Sequence, residues 1–185
     1  MVRNYFLNKK KITMEKKKLS SLSGGLLIFL LMVVYTLIIN IGGLQGNTKL
    51  SWISWLIVIV GIAMIVVKYG KDMDNNVTFG NLFAYGFKTI AITTIFFIAF
   101  SVLFYVIFPE YKQQLLDIAR ENAMQKATPD TREQVEKGME IFQRFFWVGI
   151  IAGILISFAI LGVIGSLIGA AIAKKEPQHF TDGKD

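Results

Sequence analysis

Four apolar runs, separated by polar segments of very different length, set the pattern of this chain. From residue 19 to residue 48 there is no charge, and residues 26–41 are almost wholly apolar. The short turn IGGLQGNTK leads into residues 50–67, eighteen positions again without a charge. A third run covers residues 89–108 and stops at Pro109; a fourth, residues 147–173, reads WVGIIAGILISFAILGVIGSLIGAAIA. About 20 apolar residues at ~1.5 Å rise cross ~30 Å of hydrocarbon, so each run suffices for a membrane span. The pattern predicts an all-α, polytopic membrane protein with four transmembrane helices, over about residues 22–44, 50–67, 87–108 and 146–173. A basic segment, residues 1–21, precedes this membrane domain (residues 22–173), and a polar tail, residues 174–185, follows it.

The connections carry their own signals. Asp72, Asp74 and Asn76 imitate the opening of a calcium loop, but Val77 replaces its glycine and Phe83 its glutamate, so a polar turn is expected instead. Thr78 is the expected N-cap of the next helix. Phe79, Phe83 and Phe87 recur at four and predict an aromatic stripe at the inner interface, from which Lys88 snorkels to the headgroups. Residues 110–144 hold seven acids and six bases in helix-forming composition. Leu115, Ile118, Ala119 and Asn122 share one helical face. Thr128 with Pro129 starts a second helix, whose apolar stripe is Val135, Met139, Phe142 and Phe146. The expectation is an extramembrane helical hairpin between spans 3 and 4 (residues 109–145), its second arm continuous with the last span.

The last run is unusually rich in small residues. Gly149, Gly153 and Ser157 repeat at four, and so do Gly162, Ser166 and Ala170, and Gly165, Gly169 and Ala173. Small residues at that spacing let helices approach closely in lipid. At ~100° per residue the outer set, Gly149, Gly153 and Ser157, faces a different side from the inner set, Gly162, Gly165, Ser166 and Gly169. Two neighbours are therefore expected, one for each set, with an external helix most readily taking the outer one.

Composition agrees: 54% hydrophobic residues and a mean hydropathy of +0.52 lie outside the range of an ordinary soluble domain. The chain has no cysteine, and its one histidine, His179, sits in the polar tail. No cofactor and no metal site is expected. The charge of +7 follows orientation rather than nucleic acid. With the N-terminus, the second connection and the tail on one side, that side holds 13 of the 20 Lys and Arg and 6 of the 13 Asp and Glu. The positive-inside rule assigns it to the cytoplasm. Trp52, Trp55, Tyr105 and Trp147 then form one outer aromatic belt, with Lys88 as an inner anchor. A cleaved signal peptide would share the basic flank, but the first run is long for one and no A-x-A-like site follows. Met14 opens MEKKKLSSLSGG and is a second candidate start; the topology is the same with either.

Three features together are similar to a known family. They are Thr78-Phe79-Gly80 with Phe83 and Gly86 leading into the third span, Phe108-Pro109-Glu110-Tyr111 at its exit, and the charged segment feeding a glycine-rich last span. Over about residues 20–173 the chain resembles domain-of-unknown-function family 4199, small bacterial four-span membrane proteins. The resemblance implies four spans and a bacterial inner membrane; it implies no activity and no functional residues.

Function is weighed on the residues alone. The apolar runs 26–41, 50–67, 89–108 and 147–173 lack Asp, Glu, His, Lys and Arg, and Glu133, Glu136 and Glu140 lie at the spacing of a solvated helix face, so no enzyme is expected. Tyr35, Thr36, Asn40, Thr93, Thr94 and Ser157 are candidates for a polar path, yet such groups usually bond back to their own helix. The reading is a structural or interaction subunit whose partners are the lipid bilayer and a second copy or another membrane protein. The alternative is a small transporter or channel-like protein acting as an oligomer.

Overall fold

Polar caps start the first three long helices. The computed structural model describes residues 19–175; most of the basic N-terminal segment and of the polar tail lies outside the described residues. Helix α1 (Ser21–Ile41) opens on Ser20, whose hydroxyl accepts from the Ser23 N–H at 3.1 Å. Helix α2 (Thr48–Asp72) opens on Asn47, which accepts from the Lys49 N–H at 3.1 Å. Helix α3 (Phe79–Ile107) opens on Thr78, which accepts from the Asn81 N–H at 3.2 Å. Each cap satisfies one of the donors a helix start leaves unpaired. Asp74 and Asn75 make the left-handed turn before Thr78, with φ of 52° and 56°, a conformation these short polar residues tolerate better than most.

After α3 come α4 (Pro109–Gln125), a single 3-10 turn (Pro129–Thr131), α5 (Arg132–Arg144) and α6 (Phe146–Lys175). Every regular element among the described residues is helical. Helices α1, α2, α3 and α6 are long and apolar enough to cross a membrane, and they mark the chain as a multi-pass membrane protein.

Helix α1 ends three residues short of its expected span and α2 runs five residues past its own, to Asp72, and two further boundaries also differ from the sequence pattern. Helix α3 starts eight residues before the expected span, because its first turns are part of the bundle: Leu82, Tyr85 and Gly86 are buried. Only the side carrying Phe79, Phe87 and Lys88 is exposed, and Phe83 stacks on Phe87 at 6.1 Å. The last span is not continuous with the preceding helix. The chain breaks at Phe145, which is exposed, and the next residue, Phe146, is turned into the protein with 1% of its surface accessible. One unbroken helix would keep both rings on its own regular spiral; the break at Phe145 accompanies the inward turn of Phe146.

The long helices alternate in direction. Helix α6 makes its main seams with α2, which it parallels, and with α3, which it opposes; α1 packs on α3 and, less closely, on α2. Helices α2 and α3 also touch, while α1 and α6 share no comparable seam among the described residues. The core runs between them through Ile28, Val58, Ile62, Val66, Leu82, Ile90 and Phe158. Leu30, Val34, Ile95, Leu103 and Ile156 point outward, each more than half exposed. In water that surface would be a large unburied patch; in a bilayer it is the lipid face.

Candidate functional site

Helix α6 is where small residues set the geometry. A methyl group built on Gly165 would stand 2.9 Å from the Ile59 carbonyl oxygen and 3.0 Å from the Ile62 Cβ. On Gly169 it would stand 2.8 Å from the Ala63 carbonyl oxygen and from the Val66 Cβ. These two glycines therefore carry the contact with α2. Gly162 meets the Ile90 side chain, and Ser166 meets Gly86, so these two carry the contact with α3. The four inner small residues, expected to share one neighbour, are divided between two. The i, i+4 rows through Gly162 and through Gly165 lie about 60° apart on the helix, so adjacent rows reach adjacent helices.

The outer set is also divided. A methyl group built on Gly149 would stand 2.9 Å from the Phe142 ring of α5. Among the described residues nothing lies within 4 Å of a methyl added at Gly153, and Ser157 is exposed. Val148, Ile156 and Ile160, at 66%, 62% and 55% exposure, continue the uncovered surface.

The predicted anchors fall at the two ends of the bundle. Trp52 and Trp55 begin α2, with ring centroids 4.9 Å apart. Tyr105, near the end of α3, meets Phe146 edge-on at 5.8 Å, and Trp147 lies 5.3 Å from the same ring. The Lys112 ammonium of α4 sits 4.9 Å from the Phe146 ring centroid and 5.5 Å from that of Trp147. Lys88 is exposed towards the opposite end of α3.

Around these rings runs an aromatic series that helical spacing alone does not announce. Phe29 contacts Phe96 and Phe100, Phe97 contacts Phe158, and Phe104 contacts Phe100, Phe108 and Tyr111. Between Phe97, Phe100, Phe104, Thr36 and Ile154 lies a cleft of about 200 Å³. A larger polar cleft, about 280 Å³, separates α4 from α5 and is crossed by Arg120. Its guanidinium donates to Glu136 at 2.6 Å, and this hydrogen bond raises the Arg120 pKa above its usual value.

The hydroxyls in the spans are mostly engaged with backbone. Thr89 donates to the Tyr85 carbonyl at 2.8 Å, Thr94 to Ile90 at 2.8 Å and Ser101 to Phe97 at 2.8 Å. Asn40 donates to Thr36 and accepts from Gln45, and Tyr35 donates to the Leu50 carbonyl across the α1–α2 turn. Thr93 is the one that ties α1 to α3: it is fully buried and shares its proton between the Thr89 carbonyl at 3.1 Å and the Gly25 carbonyl at 3.0 Å. Thr93→Val keeps its shape and removes that link. Interhelical hydrogen bonds in bilayers average ~0.6 kcal/mol and reach ~1.7. A loss of about 1 kcal/mol is expected in detergent unfolding, with Thr94→Val, which breaks only a bond within α3, losing less. Ser166, also fully buried, has no hydrogen-bond partner for its hydroxyl among the described residues.

No curated protein and no solved structure matches the chain. A family profile does, over residues 24–175, which takes in α6 and all but the first turn of α1. The chain belongs to that family, described as "Protein of unknown function (DUF4199)".

Proposed function

We propose that the protein is a structural or interaction subunit of the bacterial cytoplasmic membrane, and that the Gly153–Ser157 face of α6 receives a helix of another membrane protein or of a second copy. The observation that carries this reading is the contrast along one helix. The inner small residues are buried against α2 and α3, whereas Gly153 and Ser157 lie on a face that no neighbouring helix covers among the described residues. Glycine inside a helix costs roughly 1 kcal/mol relative to alanine, and close helix approach is the return it gives in lipid.

Both termini are placed in the cytoplasm by the distribution of Lys and Arg. Helices α4 and α5 then form a hairpin on the periplasmic side, supported by the Arg120–Glu136 pair and by Ile118, which packs on Gly46 of the first connection. A non-catalytic role is part of this reading, and the pairing of the α5 carboxylates Glu133 and Glu136 with Lys137 and Arg120 is in keeping with it. An oligomeric transporter is less well supported, since most span hydroxyls with described bonds are committed to backbone carbonyls.

Because the chain has no cysteine, single cysteines test both parts. Gly153→Cys should cross-link to a neighbouring chain in membranes, while a cysteine at Leu103, which is also exposed, should not. An impermeant maleimide should label cysteines at Gln45 and Thr128 in intact cells, and one at Asn75 only after permeabilisation. Equal cross-linking at both positions would remove the partner face, and protection of Thr128→Cys in intact cells would reverse the topology.

A further inference from the structure

Beside the Gly165 and Gly169 seam, α2 and α6 leave a groove of about 600 Å³. Its walls are apolar: Val60, Met64 and Val67 on α2, and Ile168 and Ile172 on α6. Its end is charged, closed by Lys68, Lys71 and Asp72. Lys68 pairs with Asp72 at 3.6 Å yet keeps 60% of its side chain exposed, against 13% for Asp72. Asp72 also accepts from the Leu19 N–H at 3.5 Å. The carboxylate is thus held inward, while the Lys68 side chain with which it pairs stays largely exposed. Ala173 lies against Gly70, and because α2 and α6 run parallel, Lys174 stands level with Lys71. Among the described residues the rim therefore carries more Lys than Asp, at two helix C-termini that favour cations.

An occupant that fits must be apolar along most of its length and anionic at one end. From Ile59 to Asp72 the helix rises about 20 Å, which matches one leaflet: half of ~30 Å of hydrocarbon and its headgroup layer. We infer that this groove is a binding site for an anionic diacyl phospholipid, with an acyl chain along Met64 and Ile168 and the phosphate against Lys68 and Lys71. The site lies at the other end of α6 from Gly153. It rests on the membrane placement and not on the partner face, so absence of cross-linking at Gly153 leaves it standing.

The test is native mass spectrometry of the full chain in mild detergent, titrated with dioleoyl phosphatidylglycerol or dioleoyl phosphatidylcholine. The wild type should retain phosphatidylglycerol preferentially. Lys68→Gln with Lys71→Gln should lower that preference by about fivefold for each lysine removed, while Lys137→Gln, on α5, leaves it unchanged. Met64→Trp, at a 67% exposed position, should obstruct the wall and reduce retention of both lipids without loss of the fold. Equal retention of the two lipids by the wild type, or an unchanged preference in the double variant, would overturn the assignment. Displacement of the lipid by glycerol 3-phosphate would make this a free-anion site, and cross-linking between Met64→Cys chains would give the groove to a second copy.

Discussion

Gly169→Leu destabilises the folded bundle by about 3 kcal/mol, while Gly153→Leu leaves its stability unchanged or slightly raised: that is the expected result of unfolding the two variants in mild detergent. The difference lies in what a side chain would meet. At Gly169 the first added carbon stands 2.8 Å from the Ala63 carbonyl oxygen and 2.9 Å from the Ala63 Cα. Backbone atoms cannot rotate away, so α6 must move off α2, and overpacking of this kind costs ~1 to 3 kcal/mol, occasionally more. Leucine is the better helix former by somewhat under ~1 kcal/mol, which is too little to offset the clash. At Gly153 the same gain is opposed by nothing within 4 Å among the described residues. Gly162→Leu should cost about as much as Gly169→Leu, because the added carbon would stand 2.8 Å from the Ile90 Cγ1 and 2.9 Å from its Cβ, atoms of a buried β-branched side chain that is nearly fixed in a helix. Equal losses at Gly153 and Gly169 would show that the α2–α6 seam does not depend on close backbone approach.

Phe146→Ala is expected to cost ~3 to 5 kcal/mol, the range for truncating a buried phenylalanine. The ring is 1% exposed and joins three elements: Tyr105 of α3, Phe142 of α5, and Lys112 of α4 at 4.9 Å. Losing it removes apolar burial and leaves the Lys112 ammonium with one ring fewer, a cation–π term of ~0.5 to 2 kcal/mol. Phe145→Ala, one residue away at 55% exposure, should change stability by well under ~1 kcal/mol. Limited proteolysis supplies a second readout: α4 and α5 of Phe146→Ala should be cut faster than those of Phe145→Ala. Identical behaviour of the two variants would mean that Phe146 does not hold these helices to the span.

Much of this architecture is legible in the sequence, for a reason particular to membranes. A span needs ~20 apolar residues whatever it packs against, so the four helices follow from residues 26–41, 50–67, 89–108 and 147–173 without knowledge of their neighbours. Local chemistry supplies the cap at Thr78 and the polar turn before it, since these depend on a few adjacent atoms. Small residues at a spacing of four also announce that α6 approaches other helices closely.

Tertiary structure decided which helices those are. In water an apolar stripe identifies the buried face of a helix; in lipid the outer face is equally apolar, so hydrophobic periodicity no longer separates Ile156, which faces outward, from Phe158, which is buried. The sequence therefore marks Gly153 and Gly169 alike, and only packing distinguishes a glycine beside open space from one pressed on the Ala63 backbone. The Thr93–Gly25 bond, the Phe146 junction and the lysine-rimmed groove between α2 and α6 join residues far apart in the chain. Their existence depends on how α1, α2, α3 and α6 lie together, which no single run of residues specifies.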